Sequence, residues 1–436
     1  MKTNFVKLRW LFTMLLFVTT MIMPTMMLAK SIDLKIPEGD GAGTPYKIGT
    51  AEELYWFAGL VNGTLPGVKK DLSANAILTD DIIVNTGVLD PNKDLVSGND
   101  FIEWIPIGKS SSDDDAYTGT FDGNGHTISG LYFNKSNSWY VGLFGCIGAE
   151  GKISNVGVSD SYFQSSNCPY IGGVCGSNSG ELQNCSNSST VIGKENEYRI
   201  GGVCGYNSGT VKDCKNTGSV RGKETIGGVC GYNERRYNEK GGIIENSFNE
   251  GTVSGTGDYD VLNIGGVCGY NYGGTIKSCY NTASVSGKYS VGGVSGSLGS
   301  DVTNCYYLSG TVADGKGGIG GKDDENGKAV EMSKDRFKSG EVAWLLNGSK
   351  SVSTEESTLA WYKKLGENAD AYPVLKSTDH NTVYKAPLFS CDGTTRIGEY
   401  ANKPEGDKLS HNYQMAEKAD EGTSNLYSEE CAICHN

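Results

Sequence analysis

The string IGGVCGYNSG, beginning at Ile200, recurs with little change at Ile171, Ile226 and Ile264, and in degraded form at Val291. Aligning the copies gives Ile-Gly-Gly-Val-Cys-Gly-Tyr-Asn, a Gly-Thr-Val or relative, an Asn/Asp-Cys step and a Gly-x-Val closing run. The first cysteines fall at Cys175, Cys204, Cys230 and Cys268, with Ser295 in the fifth copy, at intervals of 29, 26, 38 and 27 residues. A period of this size signals stacked units, none of which buries its apolar face alone. Each copy is a set of short β-prone runs punctuated by glycine, without an amphipathic helical stretch. One copy therefore supplies about one coil of an all-β solenoid, and coils stack at about 4.8 Å per rung.

Substitutions between copies say what the repeated residues are for. A half-repeat at Tyr140 places Phe144 at the first cysteine site and Val156 at the second. The second site otherwise holds Cys185, Cys214, Ser247, Cys279 and Cys305. A position that accepts Cys, Phe and Ser is used as volume, which favours a buried column of thiols. Intra-coil disulfides across the corner, at Cys175/Cys185, Cys204/Cys214 and Cys268/Cys279, are the alternative. Against them, Cys230 faces Ser247 and Cys305 faces Ser295, leaving single thiols in equivalent coils.

The asparagines after the Gly-Tyr step (Asn178, Asn207, Asn233 and Asn271) read as a structural ladder, because asparagine suits αL turns and its amide can bond to the next coil. Tyr206, Tyr232 and Tyr270 form a parallel series. They are either a sugar-stacking, ligand-binding strip or rings that pack on one another. The longest interval carries a polar surplus, ERRYNEKGG, read as a loop leaving one coil.

The ends set the compartment. Lys2, Lys7 and Arg9 precede an apolar run from Trp10 to Met23, then Pro24 and a small residue at Ala29. Residues 1–29 thus read as a signal peptide, which makes the chain secreted or cell-surface. No later stretch approaches the roughly 18 apolar residues of a membrane span. A net charge of −13 argues against a nucleic-acid partner.

The segments Gly173–Cys185, Gly202–Cys214 and Gly266–Tyr280 carry the pattern Gly-Leu/Val-x-Gly, Asn-x-Gly-x-Ile/Val and Asn-Cys-Tyr. They resemble the GLUG-motif repeat from Tyr140 to about Tyr307, and WIPIG (Trp104–Gly108) with YTGTFDGNGHTISGLYF (Tyr117–Phe133) resembles its usual lead-in. The resemblance implies a right-handed parallel β-helix in an exported, surface-associated bacterial protein of adhesin type, with no ligand specified. Such repeats also accompany a zinc peptidase that cleaves immunoglobulin A. His126, His380, His411 and His435 never make the His-Glu-x-x-His spacing that peptidase needs, so the protease reading is dropped.

Around the repeat, 30–139 reads as an N-terminal cap with irregular first coils and 140–310 as the β-helix. A Gly-rich acidic linker (311–328), a C-terminal helical cap (329–385) and a Cys/His tail (386–436) follow. Thr50 and Glu53 form a capping box for a helix over 51–62, with Leu54, Phe57, Ala58 and Val61 inward. Ile77–Asn85 reads as strand, Ser333 as a helix cap, Gly340–Gly348 as a second helix and Ala371–Leu375 as a closing strand. In the tail, Cys391, His411, Cys431 and Cys434 make a coherent four-ligand zinc set. Cys-x-x-Cys-His at its end is also the c-type haem string, here without the surrounding bundle.

Acidic residues gather in loops, at Asp113-Asp114-Asp115 and Asp323-Asp324-Glu325, and not in a convergent set with Lys or Arg. The expected function is therefore non-catalytic, a surface adhesin binding a host or matrix glycan or protein along its stem. The alternative is a carbohydrate-active β-helix enzyme, a polysaccharide lyase or hydrolase.

Overall fold

A computed structural model gives the structure, a parallel β-solenoid of about 8 turns with few helices. It describes residues 32–431 except 99, 111–114, 195–198, 236–240, 257–262, 298–300, 314–315, 321–326, 350–358, 376–380, 387, 390–395, 403–412 and 417–427. The expected signal segment and the core of the ERRYNEKGG loop lie outside the described residues. So do residues 314–315 and 321–326 of the acidic linker.

Each coil contributes strands to as many as five parallel sheets. Two nine-stranded sheets run the length of the stem, one from Tyr46–Ile48 to Asp301–Thr303 and one from Ile82–Ile83 to Ala329–Met332. Two six-stranded sheets and one five-stranded sheet complete the coil through the repeats. The register is the one the repeat alignment implies. Phe144, Cys175, Cys204, Cys230, Cys268 and Ser295 lie directly above one another.

Side chains of the consensus valines and isoleucines fill the lumen of every coil, from Ile153 and Val174 to Val294 and Val302. Paired glycines are needed where neighbouring corners touch. A Cβ on Gly201 would strike the Cys204 carbonyl, and one on Gly202 would strike the side chain of Asn216.

Eight cysteines form two columns in the lumen, Cys175, Cys204, Cys230 and Cys268 in one and Cys185, Cys214, Cys279 and Cys305 in the other, and all eight are buried free thiols. Thiols in both columns also donate to a carbonyl two residues away, among them Cys175 to Ser177 and Cys204 to Tyr206 at 3.0 Å, and Cys214 to Lys212 at 3.1 Å. The serine substitutes keep that bond, Ser295 to Ser297 at 3.3 Å and Ser247 to Glu245 at 2.9 Å. From Cys175 upward the two columns thus hold a small side chain with one donor, whereas Phe144 and Val156, one rung below, fill the same positions by volume alone. Burial pushes the Cys204, Cys214, Cys268 and Cys279 thiols well above their ordinary range.

The asparagine ladder is present, but its conformation differs from expectation. Asn178, Asn207, Asn233 and Asn271 are fully buried at or next to strand ends; the first three amides each donate to the next asparagine's side-chain oxygen at 2.8 Å, and that of Asn271 donates to the Gly274 carbonyl at 3.0 Å. None of these four has positive φ. The left-handed corner belongs instead to the residue before the second cysteine site: Asn155, Asn184, Asp213, Asn246, Ser278 and Asn304. A second buried ladder, Asn187–Asn216–Asn249–Asn281, runs beside the other sheet with steps of 2.8, 2.8 and 2.7 Å.

At the N-terminal end, helix α1 (Ala51–Asn62) is capped by Thr50 Oγ1, which accepts from the Glu53 N–H. The Glu53 carboxylate accepts from Gly49 at 2.9 Å, one residue before the position a capping box predicts. The helix is buried on more than its expected face. Tyr55, Trp56 and Leu60 are also covered, since the aromatic ring of Trp104 packs against Tyr55 and that of Tyr46 against Trp56. The region read as one strand at 77–85 is two, Ala76–Leu78 and Ile82–Ile83. Residues 103–117 supply an irregular rung, pairing at Glu103, Ile107 and Tyr117 with the first full coil.

At the C-terminal end, Ala329–Met332 adds a last strand to its sheet. Helices α2 (Lys334–Lys338) and α3 (Glu341–Leu346) then fold onto the flank of the last rungs. Phe337, Val342, Leu346 and Trp361 pack there against Phe248, Tyr280 and Tyr306. Val374–Leu375 pairs antiparallel with Trp361–Tyr362.

Candidate functional site

One flank of the stem carries a continuous aromatic column. Tyr140 and Tyr170 stack at 5.1 Å, Tyr170 meets Tyr206 edge-on at 5.4 Å, and Tyr206 stacks on Tyr232 at 5.9 Å. Tyr270 continues at 5.2 Å, and Tyr272 extends the column to an exposed end. The register explains its path. One row of the coil reads Tyr140, Tyr170, Arg199, Thr225, and the adjoining row reads Cys146, Ser177, Tyr206, Tyr232, Tyr270. Rings occupy one row where the other is small, so the column steps across between Tyr170 and Tyr206.

Arg199 fills that step. Its guanidinium lies 5.1, 5.4 and 4.4 Å from the ring centroids of Tyr170, Tyr206 and Tyr232, and it donates to the Tyr170 hydroxyl at 2.9 Å. The Tyr206 hydroxyl bonds to the Glu234 carboxylate. Burial, and then Glu234, push the Tyr232 phenol above its ordinary range. Tyr206, Tyr232 and Tyr270 are therefore brought together as the sequence proposed, with their faces largely engaged by one another and by Arg199. What remains for a partner is the ring edges, the hydroxyls and the cation.

The lower end of the column opens onto a cavity of about 560 Å³. Trp139, with 66 % exposure, and Ile105, with 50 %, stand at its walls beside Tyr140, Lys109 and Ser138.

A second concavity lies between the stem and the chain that follows the C-terminal helices, at Leu359, Ala360, Val374 and Leu375. Two adjoining cavities of about 470 and 450 Å³ share Asn155, Asn184, Asp213 and Leu375. They are floored by the left-handed corner row, in which the Asn155 amide donates to Asp122, that of Asn184 to Asn155 and that of Asn246 to Asp213. Burial raises the Asp213 carboxyl above the usual range, against the opposing bond from Asn246 and the charge of Lys212. Asp213 was not singled out from the sequence, because it occupies an asparagine step of the repeat and reads there as a turn residue.

Of the tail residues proposed for zinc, Cys431 lies in the strand Ser428–Cys431, its backbone paired with Tyr413. Cys391, His411 and Cys434 lie outside the described residues. Among the described residues no group of three His, Cys, Asp or Glu side chains is placed to hold a metal ion. No helix among them is long and apolar enough to cross a membrane.

Fold and repeat together define a GLUG-type parallel β-solenoid. The GLUG motif matches residues 196–221 and 260–286. The chain is 38 % identical over 84 residues to halomucin of Haloquadratum walsbyi, covering 19 % of this chain and 1 % of halomucin. It is 33 % identical over 78 residues to a provisionally named Gly-rich membrane protein of Evansella cellulosilytica, covering 18 % of this chain and 9 % of that protein. The chain thus spans a small fraction of the curated relatives it matches. Among solved structures it is similar to a chain from Bacteroides ovatus provisionally assigned as an immunoglobulin A1 protease. The identity there is 22 %, the TM-score 0.49, and the coverage 79 % of this chain and 95 % of the other.

Proposed function

We propose that this protein is a non-catalytic surface stem, exported from the cell, that binds a host or matrix glycan or protein through its aromatic flank. The observation that carries the reading is the tyrosine column from Tyr140 to Tyr272 with Arg199 set into it. Parallel rungs repeat the same side chain at a fixed spacing, which suits a partner that is itself extended and repetitive. The ring edges, phenol hydroxyls and guanidinium on this strip can meet sugar hydroxyls, or the aromatic and acidic side chains of a protein. The names of the relatives, halomucin and a membrane protein, fit a surface or extracellular setting.

The test is binding of the intact chain to arrayed glycans and to immobilised matrix proteins, repeated with Arg199→Ala and Tyr232→Ala. Retention on at least one ligand class, weakened several-fold by either substitution, is the expected result. Absence of retention on both surfaces defeats the reading.

Asp213 favours a second reading, a carbohydrate-active enzyme. A carboxyl whose pKa burial raises above the usual range, in a cleft with Lys212 and Lys215, is the kind of group a general acid requires. New reducing ends or unsaturated products on a polysaccharide, lost in Asp213→Asn, would establish it over the adhesin.

A further inference from the structure

The faces of the column rings are turned to one another, but one aromatic face on the same flank is not. Trp139 stands next to Tyr140, 66 % exposed, and no ring stacks on it among the described residues. Its position is fixed from both sides. Asn137 takes a left-handed conformation with φ 60° and its N–H bonds to Ser166 at 2.8 Å, while Tyr140 starts the next strand and stacks on Tyr170. The opposite wall belongs to the irregular rung. Ile107 pairs with Phe144, and the Trp104 indole donates to the Gly142 carbonyl at 3.0 Å. The Asn62 side chain ties that rung to α1, donating to Pro106 at 2.9 Å and accepting from Gly108 at 3.0 Å. The cavity between these walls is therefore built from anchored backbone.

Its chemistry is mixed in a specific way. The indole of Trp139 and the side chain of Ile105 are apolar and open, and Ser110 and Ser138 bring hydroxyls. Lys109 brings a cation. Its ammonium donates to the Asn62 carbonyl at 2.7 Å at the C-terminus of α1, and no carboxylate among the described residues pairs with it. A volume of about 560 Å³ is of the size that takes a small ligand, roughly 300–1,000 Å³. An open indole face stacks on the C–H face of a sugar ring, hydroxyls and amide groups bond its hydroxyls, and an unpaired ammonium draws a carboxylate.

We infer that this cavity is a binding subsite for an acidic glycan, with a sugar ring stacked on Trp139 and a carboxylate held toward Lys109. The inference rests on the surface-binding reading above and places its ligand at the lower end of the aromatic column. The chain's overall negative charge makes the local cation a selector, since an acidic ligand is repelled elsewhere and admitted here.

Tryptophan fluorescence of the intact chain tests it. Trp56, Trp104 and Trp361 are buried and Trp344 is half-buried, so Trp139 is the described tryptophan most open to acrylamide, and Trp139→Phe identifies its share of the quenching. The probes are oligogalacturonate, a hyaluronan hexasaccharide and sialyllactose, with cellohexaose and lactose as neutral counterparts. At least one acidic probe is expected to protect the indole from quenching, with affinity falling as salt rises. Trp139→Ala should weaken that binding about tenfold or more, measured by calorimetry, while Trp139→Phe should retain part of it. Lys109→Arg keeps both the charge and the contact to α1 and should bind like the parent chain.

Absence of binding by all three acidic probes overturns the inference. So does equal binding of a neutral counterpart, or unchanged affinity in a folded Trp139→Ala. Retention of that variant on arrays or matrix proteins would then show that the surface-binding reading survives without this subsite.

Discussion

The stem carries two kinds of asparagine row, and they behave differently. The inner rows, Asn178–Asn207–Asn233–Asn271 and Asn187–Asn216–Asn249–Asn281, are sealed from water, and every step is an amide-to-amide bond of 2.7–2.8 Å. The outer row, from Asn155 to Asn304 at the left-handed corner, is at least part-exposed at every position but the buried Ser278, and admits Asp213 as well. Inside, a side chain must both donate to one neighbour and accept from the other, and among the polar side chains an amide of this length meets both demands in the available space. At the corner, the constraint is the positive φ, which Asn, Asp and, less readily, Ser satisfy without an unbroken chain of bonds. Chemical identity is fixed where water is absent, and conformation is fixed where it is present.

The largest test of this contrast is Asn207→Leu. Asn207 donates to Asn233 at 2.8 Å and accepts from Asn178 at 2.8 Å. A leucine leaves the Asn233 oxygen buried without its donor and strips the next-rung bond from Asn178. Unmet buried groups cost about 1–3 kcal/mol each, so a loss of about 3 kcal/mol is expected. Urea unfolding should show a lower midpoint with an unchanged slope. The matching change at the corner, Asn184→Gly, keeps the positive φ and should cost less than about 1 kcal/mol. Equal losses at the two sites would remove the distinction.

A smaller effect is expected at the thiol column. Cys204→Ser retains the donor to the Tyr206 carbonyl, as Ser295 does in its own coil. Cys204→Phe should instead overpack by about 1–3 kcal/mol, because Cys175 and Cys230 occupy the rungs on either side. Phe144 is accommodated at the same position lower down because Tyr117 and Phe121 are shaped around it. Thermal melts of the two variants should separate by several degrees, with the phenylalanine the lower.

These particulars mark what the sequence made readable. Cysteine columns, strand register and the first amide ladder repeat at matching steps, so alignment of the chain with itself exposes them. The second ladder repeats as faithfully, two residues after the second cysteine site, and the same alignment contains it. The sequence points to the wrong asparagine for the left-handed corner because as many as three recur in one coil, as Asn178, Asn184 and Asn187 do, and composition does not distinguish a buried amide from a turn. The cavity at Trp139 and the groove at Asp213 were not readable for a different reason. Each joins a repeat residue to a non-repeating segment, Tyr140 to Ile105 and Asp213 to Leu375. Such pairs have no period, and their meeting depends on how the irregular rung and the C-terminal helices settle on the stem.

The smallest expected effect is also the one with a sign to check, at Asp213. Its carboxyl is raised above the ordinary value of 3.8, burial being the largest cause. A group whose acid form is favoured in the folded state binds more protons there than in the unfolded chain. Its contribution is therefore harmless at low pH, where both states are protonated, and turns unfavourable as pH climbs from about 4 through the folded value. Asp213→Asn removes that charge and supplies an amide hydrogen for Asn184, continuing the donation that Asn184 makes to Asn155 at 2.9 Å. The variant should gain on the order of 1 kcal/mol or less at neutral pH and nothing below pH about 4. Melting curves of the two chains across this range should converge at the acid end and part above it. Curves that stay parallel at every pH would mean that the carboxyl is solvated like any surface aspartate and that the corner row is indifferent to charge.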